Sequence, residues 1–343
     1  MSNKTTLQSL AYLIIIIAGL KMASTIVLPF LMAIFLFVLF LPLANRLRLL
    51  GLPDVFTTII VFGLMVMILF FITTFLISSV EDISSNIGMY QNKFHEFTPK
   101  ITSLFEQFGI PLEKSKIISL FEPTKIINYT ALFLKNMGNI LTNSFITILI
   151  VMFIFLELSL FEKKLILLID EKNQNRLNEF LNNVNTYFIT KTFTSFATGL
   201  LIWIMLSFFN LEYALLFGIM AFLLNFIPSI GSIVAAIPAL LMALLQLNMI
   251  DTLLIMFWYL VINIVISNFI EPKIMGKNVG LSTFIIFISM IVWGWIFGPI
   301  GMFLAVPLTI IIKIGFDSSE KYRWISIFIS DRILEENIKE GYK

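Results

Sequence analysis

The chain has no cysteine and a single histidine, His95, among its 343 residues. Disulfides, thiol catalysis and thiolate metal sites are therefore excluded, and a histidine-ligated zinc hydrolase has no ligand set to draw on. Charge is scarce too. Asp, Glu, Lys and Arg make up 13% of the residues, and a net charge of +2 gives no reason to invoke nucleic acid. The acids lie mostly outside the apolar runs, so the paired carboxylates and nucleophile–base spacings of a membrane enzyme are missing. No GxxxxGK[ST] pattern occurs, and the chain has no nucleotide engine of its own. Taken together, these gaps point away from an enzyme and from any metal or resident cofactor.

What is present is apolar. Hydrophobic residues account for 59% of the chain, Phe occurs 36 times and Met 16 times, and the mean hydropathy of +0.97 is far above that of globular chains. The long apolar runs read as an all-α polytopic membrane protein. Phe and Met, spread through the chain, serve as lipid-facing and interhelical packing residues. Transporter, channel and membrane scaffold are the classes left. A channel would line its path with repeated polar or charged rings, and the first three apolar runs carry none.

The apolar runs predict spans at Leu10 to Leu28 and Phe30 to Leu43, joined by a tight turn at Pro29, then at Val55 to Ser78 and Ile140 to Leu160. Further runs lie at Phe196 to Phe209, Tyr213 to Leu247, Thr252 to Ser267 and Leu281 to Ile314, giving about eight crossing helices. Lys4 and the run to Leu20 resemble a signal peptide, but Lys21 and the resumption at Ile26 argue against cleavage. The expected organisation is 1–80, N-terminal helices; 81–139, an extracytoplasmic helical segment; 140–160, one span; 161–195, a cytoplasmic amphipathic segment; 196–314, the transport core; and 315–343, a cytoplasmic tail.

Positive charge orients the spans. Arg46, Arg48, Lys163, Lys164, Lys273 and Lys277 fall in short connections on one side, whereas the connections at Pro29, Asn210 to Glu212 and Asn248 to Asp251 hold no Lys or Arg. Both termini are then cytoplasmic. The interval 81–139 lies outside, with Ile83, Ile87, Tyr90, Phe94 and Phe97 at helical spacing, and His95 reads there as an exposed surface residue.

Two runs are too long for one crossing and are cut near the middle by Pro and Gly. The first cut is Pro228-Ser229-Ile230-Gly231, followed by Ala235 and Pro238; the second is Gly298-Pro299-Ile300-Gly301, followed by Ala305 and Pro307. Sliding one run along the other superposes Leu211 on Leu281, Phe217 on Phe287, Gly231 on Gly301 and Ala235 on Ala305. With one span between them, the two units, a helix plus a broken hairpin each, are inverted in the membrane. Such breaks are where secondary transporters expose backbone to a solute near the midplane. Asn225, Asn263 and Asn268 cluster at matching depths, so the expected solute contacts are Asn225, Pro228, Gly231, Asn263, Asn268, Pro299 and Gly301. Glu157 and Glu271 are candidates for a coupling cation or proton, with local pairing to Lys163, Lys164 or Lys273 as the competing reading.

The residues Asn225-Phe226-Ile227-Pro228-Ser229-Ile230-Gly231, Asn268-Phe269-Ile270-Glu271-Pro272-Lys273-Ile274-Met275-Gly276-Lys277, Trp293-Gly294-Trp295 and Gly298-Pro299-Ile300-Gly301-Met302 carry a family resemblance. The chain resembles the autoinducer-2 exporter family of bacterial inner-membrane permeases, most specifically from Asn225 to Lys313. Leu156-Glu157 with Phe161 to Leu165 is similar to the branch that exports autoinducer-2, while the Asp-Gly pair of many members is absent at this exit. The resemblance implies export of autoinducer-2 in some members and sodium or lithium efflux against protons in others. It also implies homo-oligomers, pentamers among them. Proposed partners are thus a small solute or ion, the lipid bilayer and further copies of the chain, with an oligomeric channel as the remaining alternative.

Overall fold

The computed structural model describes residues 3–86, 88–90, 93, 145–168, 171–228, 230–275, 281–317 and 323–330, all regular structure in them being helical. His95 and most of the extracytoplasmic interval lie outside the described residues. Among the described residues four helices are long and apolar enough to cross a membrane, in Ser24–Leu49, Asp54–Ile83, Val184–Phe208 and Met249–Met275, and five shorter apolar helices accompany them.

Helix α1 (Asn3–Met22) passes into α2 (Ser24–Leu49) through Ala23 alone. Ala23 has φ −84° and ψ 4°, its N–H bonds to the Gly19 carbonyl at 2.9 Å, and its own carbonyl accepts from Val27 at 2.9 Å. The turn expected at Pro29 does not form, because Pro29 and Pro42 both lie inside α2. Neighbouring helices can cover the carbonyls that an intramembrane proline leaves free, so proline alone does not mark a break in lipid. Helices α3 (Asp54–Ser85) and α4 (Phe145–Leu168) pack on α2 through Ala33, Ala44, Val61, Met65, Val151 and Phe155.

Helix α5 (Glu171–Phe208) is unbroken, so the boundary expected at 195/196 falls inside it. After it comes the first hairpin, α6 (Ala214–Leu224) and α7 (Gly231–Gln246). The next rod is α8 (Met249–Val265), a π-helical turn (Ile266–Ile270) and α9 (Glu271–Met275). The second hairpin is α10 (Thr283–Phe297), α11 (Pro299–Phe303) and α12 (Ala305–Asp317), followed by the short α13 (Arg323–Ile329). Side chains cap where chains enter: Asn248 Oδ1 accepts from the Asp251 N–H at 2.9 Å, and Ser282 Oγ from the Ile285 N–H at 3.3 Å.

Both hairpins have short arms. At ~1.5 Å per residue the arms α6, α10 and α12 are about 16, 22 and 20 Å long, short of a hydrocarbon core of ~30 Å. Each returns to the end it entered. Glu212, before α6, meets Gln246, the last residue of α7, through a backbone N–H bond of 2.9 Å and a side-chain bond of 2.8 Å. At the base of the second hairpin, the Ser282 N–H bonds to the Ile329 carbonyl at 3.1 Å and Lys313 donates to Ser330 at 3.3 Å. The first base lies beside the C-terminal end of α5, and the second packs in one cluster with Val184, Tyr187 and Phe188 near its other end. Leu281 and Ile329 of the second base and the end of α5 at Phe208 beside the first thus place the two bases toward different ends of α5.

One construction closes both tips. A Cβ on Gly231 would overlap the Leu224 carbonyl, and a Cβ on Gly301 would overlap the Trp293 carbonyl. The Gly punctuation seen in the sequence is thus a demand for backbone contact between arms.

Candidate functional site

The hairpin tips meet inside the protein. Phe226, on the first tip, and Phe303, on the second, have ring centroids 4.7 Å apart, and Phe35 of α2 packs on Phe303 at 4.8 Å and on Phe188 of α5 at 4.8 Å. Aromatic surface, not a ring of asparagines, fills the space between the breaks.

The polar groups lie beside this cluster on α5. Tyr187, Thr190, Lys191, Thr194, Ser195 and Thr198 recur at helical spacing, and all are buried. Thr198 and Thr194 donate to the carbonyls one turn back, Thr194 at 2.8 Å and Lys191 at 3.2 Å, which is how hydroxyls are kept satisfied in an apolar setting. Asn225, only 3% exposed, donates from Nδ2 to Ser195 Oγ at 3.1 Å. It reaches α5 because the two helices touch backbone to backbone. A Cβ on Gly199 would stand 2.7 Å from the Gly218 carbonyl oxygen, and one on Gly218 would stand 2.9 Å from that of Gly199.

Further along the stripe Lys191 Nζ holds both oxygens of Glu271, at 2.9 and 3.0 Å, with side chains 7% and 16% exposed. Thr194 Oγ1 stands 3.5 Å from Glu271 Oε2. The π turn positions this carboxylate. Pro272 has no N–H and its ring would press on a regular helical turn, but the widened turn carries the chain past it, with the Glu271 N–H bonded to Ile266. Glu271 therefore belongs to a helix facing α5, not to a loop, and its partner is Lys191 in place of Lys273.

The other expected contacts are dispersed. Gly231 and Gly301 are buried at the tips and Pro228 is half-buried beside them, while Pro299 is exposed. Asn263 donates to the Tyr259 carbonyl of its own helix at 2.9 Å, and its Oδ1, like the Tyr259 hydroxyl, has no hydrogen-bond partner among the described residues. Asn268 lies on the exposed side of the π turn, and Glu157 is exposed on α4, which packs against α2 and α3. Sequence reasoning missed Lys191, Thr194, Ser195 and Thr198. Their i, i+3, i+4, i+7 spacing was the available signal, but the lysine made the segment read as cytoplasmic.

A second polar group ties the first hairpin to α3. Tyr213 donates to Asp82 at 2.7 Å, and Tyr90 and Gln246 both donate to Glu212 Oε2 at 2.8 Å. Burial, then the bond to Glu212, pushes the Tyr90 hydroxyl well above its ordinary range, and burial followed by the Asp82 contact raises Tyr213. Both tyrosines stay protonated donors.

The sequence pattern of AI-2E family transporters matches residues 10–321. The chain is 32% identical over 324 residues to the AI-2 transport protein TqsA of Escherichia coli K12, with 94% of each covered. It is 33% identical over 322 residues to a Haemophilus influenzae protein named for transport without a solute, covering 92% of each. To YhhT of Escherichia coli K12 it is 26% identical over 316 residues, 92% of this chain and 90% of that one. These names assign transport, and in one case AI-2, which favours a permease over the sodium or lithium antiporter that the resemblance also implied. An all-helical polytopic architecture with two broken hairpins, a buried polar stripe beside the meeting tips, and matches spanning nearly the whole chain agree: this multi-pass bacterial inner-membrane protein belongs to the AI-2E family of transporters.

Proposed function

We propose that the chain exports AI-2 by secondary transport, along a path beside the meeting tips of the two re-entrant hairpins. The observation that carries this reading is the buried line from Lys191 through Ser195 to Asn225, which offers hydrogen-bonding groups at membrane depth where lipid offers none. Its support in kinship is the 32% identity to TqsA over 94% of both chains. The absence of a nucleotide-binding motif makes a gradient, or the solute's own concentration difference, the source of energy. Asn225 is the foremost solute contact, with Gly231 and Gly301 allowing the tips to close and Asn263 offering an acceptor from α8. Pro228, Pro299 and Asn268 act through backbone shape or at the rim. Both termini lie in the cytoplasm, and the functional unit is a homo-oligomer.

Inside-out vesicles containing the purified chain should accumulate AI-2 above empty vesicles, and collapse of the proton or sodium gradient identifies any coupling ion. Equal uptake in both vesicle preparations would refute the assignment of AI-2.

A further inference from the structure

The ion pair within the stripe is poorly explained as a device for stability. Replacing a buried pair by apolar residues of similar size is often neutral or stabilising, because both charges give up hydration to form it. Ionisable groups at membrane depth are instead the usual mark of a transport path. Lys191 lies 17 residues before the end of α5 at Phe208, about 25 Å along the axis, near the far edge of the apolar layer.

Among the described residues the pair is also incompletely satisfied. An ammonium has three hydrogens to donate, and among the described residues the only hydrogen-bond acceptors of Lys191 Nζ are the two oxygens of Glu271. The carboxylate in turn keeps acceptor capacity, since the Thr194 hydroxyl stands at the 3.5 Å limit. Ser195 and Thr198 continue the line from the pair toward Asn225. The pair thus lies within the polar stripe, with Tyr187 and Thr190 on one side of it and Ser195 and Asn225 on the other.

We propose that Lys191 and Glu271 are solute contacts held shut on each other: the pair parts to admit a hydroxylated solute, with Lys191 donating to a solute oxygen and Glu271 accepting from a solute hydroxyl. The π turn supplies the means. Its wide ring and the missing Pro272 N–H leave the helix weakly held here, so α9 can swing at Ile266–Ile270 and take the Glu271 carboxylate off Lys191. The solute then replaces, for each partner, the hydrogen bonds it gives up.

This inference rests on the transport reading above, and the test separates the two. In the double variant Lys191→Met/Glu271→Met both charges are removed together, so the chain should fold and melt near the native temperature, while AI-2 uptake into inside-out vesicles falls at least tenfold. Uptake within twofold of native would reduce the pair to a structural staple and overturn the proposal. A second readout needs no solute. Because the chain has no cysteine, Ser195→Cys is a sole reporter for a small hydrophilic thiol reagent, used for accessibility and not for transport. Adding Glu271→Gln should speed its modification at least tenfold, whereas an unchanged rate overturns the latch. A native chain that moves no AI-2 refutes the solute assignment alone, and the Ser195→Cys rates still decide the fate of the pair.

Discussion

The two broken hairpins are built alike and furnished differently. Each ends in a glycine that admits a carbonyl from the opposite arm, Leu224 for Gly231 and Trp293 for Gly301. Yet the position of Asn225, which turns inward to Ser195, corresponds by the superposition of the glycines to Trp295, whose ring is exposed and lies 3.6 Å under the Lys21 ammonium. The second tip brings Gly298, at φ 69° and ψ −152°, and the aromatic wall of Phe303. Shared backbone geometry therefore maintains the fold, while the first hairpin turns an amide outward to α5 and the second keeps its Trp293–Thr309 hydrogen bond between its own arms. Inverted symmetry of the chain trace does not entail symmetry of the solute site.

The largest effect should come from breaking what the hairpins share. Gly231→Ala and Gly301→Ala each force the two arms apart, and overpacking of this kind costs about 1–3 kcal/mol, occasionally more. Both should lower the melting temperature of the purified protein to a similar extent, and Leu at either position should abolish assembly, seen as loss of a single peak in size exclusion. A normal melt for one variant but not the other would end the equivalence of the hairpins. Next in size is the contact between tips. Phe303→Ala should destabilise by ~3 kcal/mol, as large aromatic truncations in packed cores do, and a thermal double-mutant cycle with Phe226→Ala should give a coupling of ~0.5–1.5 kcal/mol.

Asn225→Leu sharpens the difference between the hairpins. Loss of one intramembrane hydrogen bond costs only ~0.6 kcal/mol on average, so the melt should barely move while AI-2 uptake falls at least tenfold. A shift in stability with normal transport would make the Asn225–Ser195 bond structural. The smallest effect belongs to Asn268→Leu: the side chain is exposed on the π turn, and both uptake and melting should stay within error of native.

Much of this arrangement was legible from the sequence because it is written in local chemistry. The paired Pro and Gly cuts announced two broken hairpins, and runs of apolar residues announced the helices around them. What could not be read depended on partners distant in sequence. Pro29 looked like a turn because proline breaks helices in water, whereas in α2 its surroundings absorb it. Lys191 looked like a boundary because an unpaired ammonium belongs outside the bilayer, and its counter-charge, Glu271, is 80 residues away. Asn263 and Asn268 looked equivalent to Asn225 by composition, but helix phase turns only Asn225 fully inward.

That separation of Lys191 from Glu271 has a consequence for biogenesis. The span within α5, Val184–Phe208, is the least apolar of the four long ones, and a lysine in an inserting helix is costly, by about 2.5–3.5 kcal/mol at the centre and by less toward the edge where Lys191 lies. At a synthesis rate of ~5–20 residues per second, the 80 residues between the partners leave that lysine without its carboxylate for roughly 4–16 s. Until α8 and α9 emerge, α5 must therefore sit shallow or lean on the insertion machinery, and its final depth is set only when the later rod arrives.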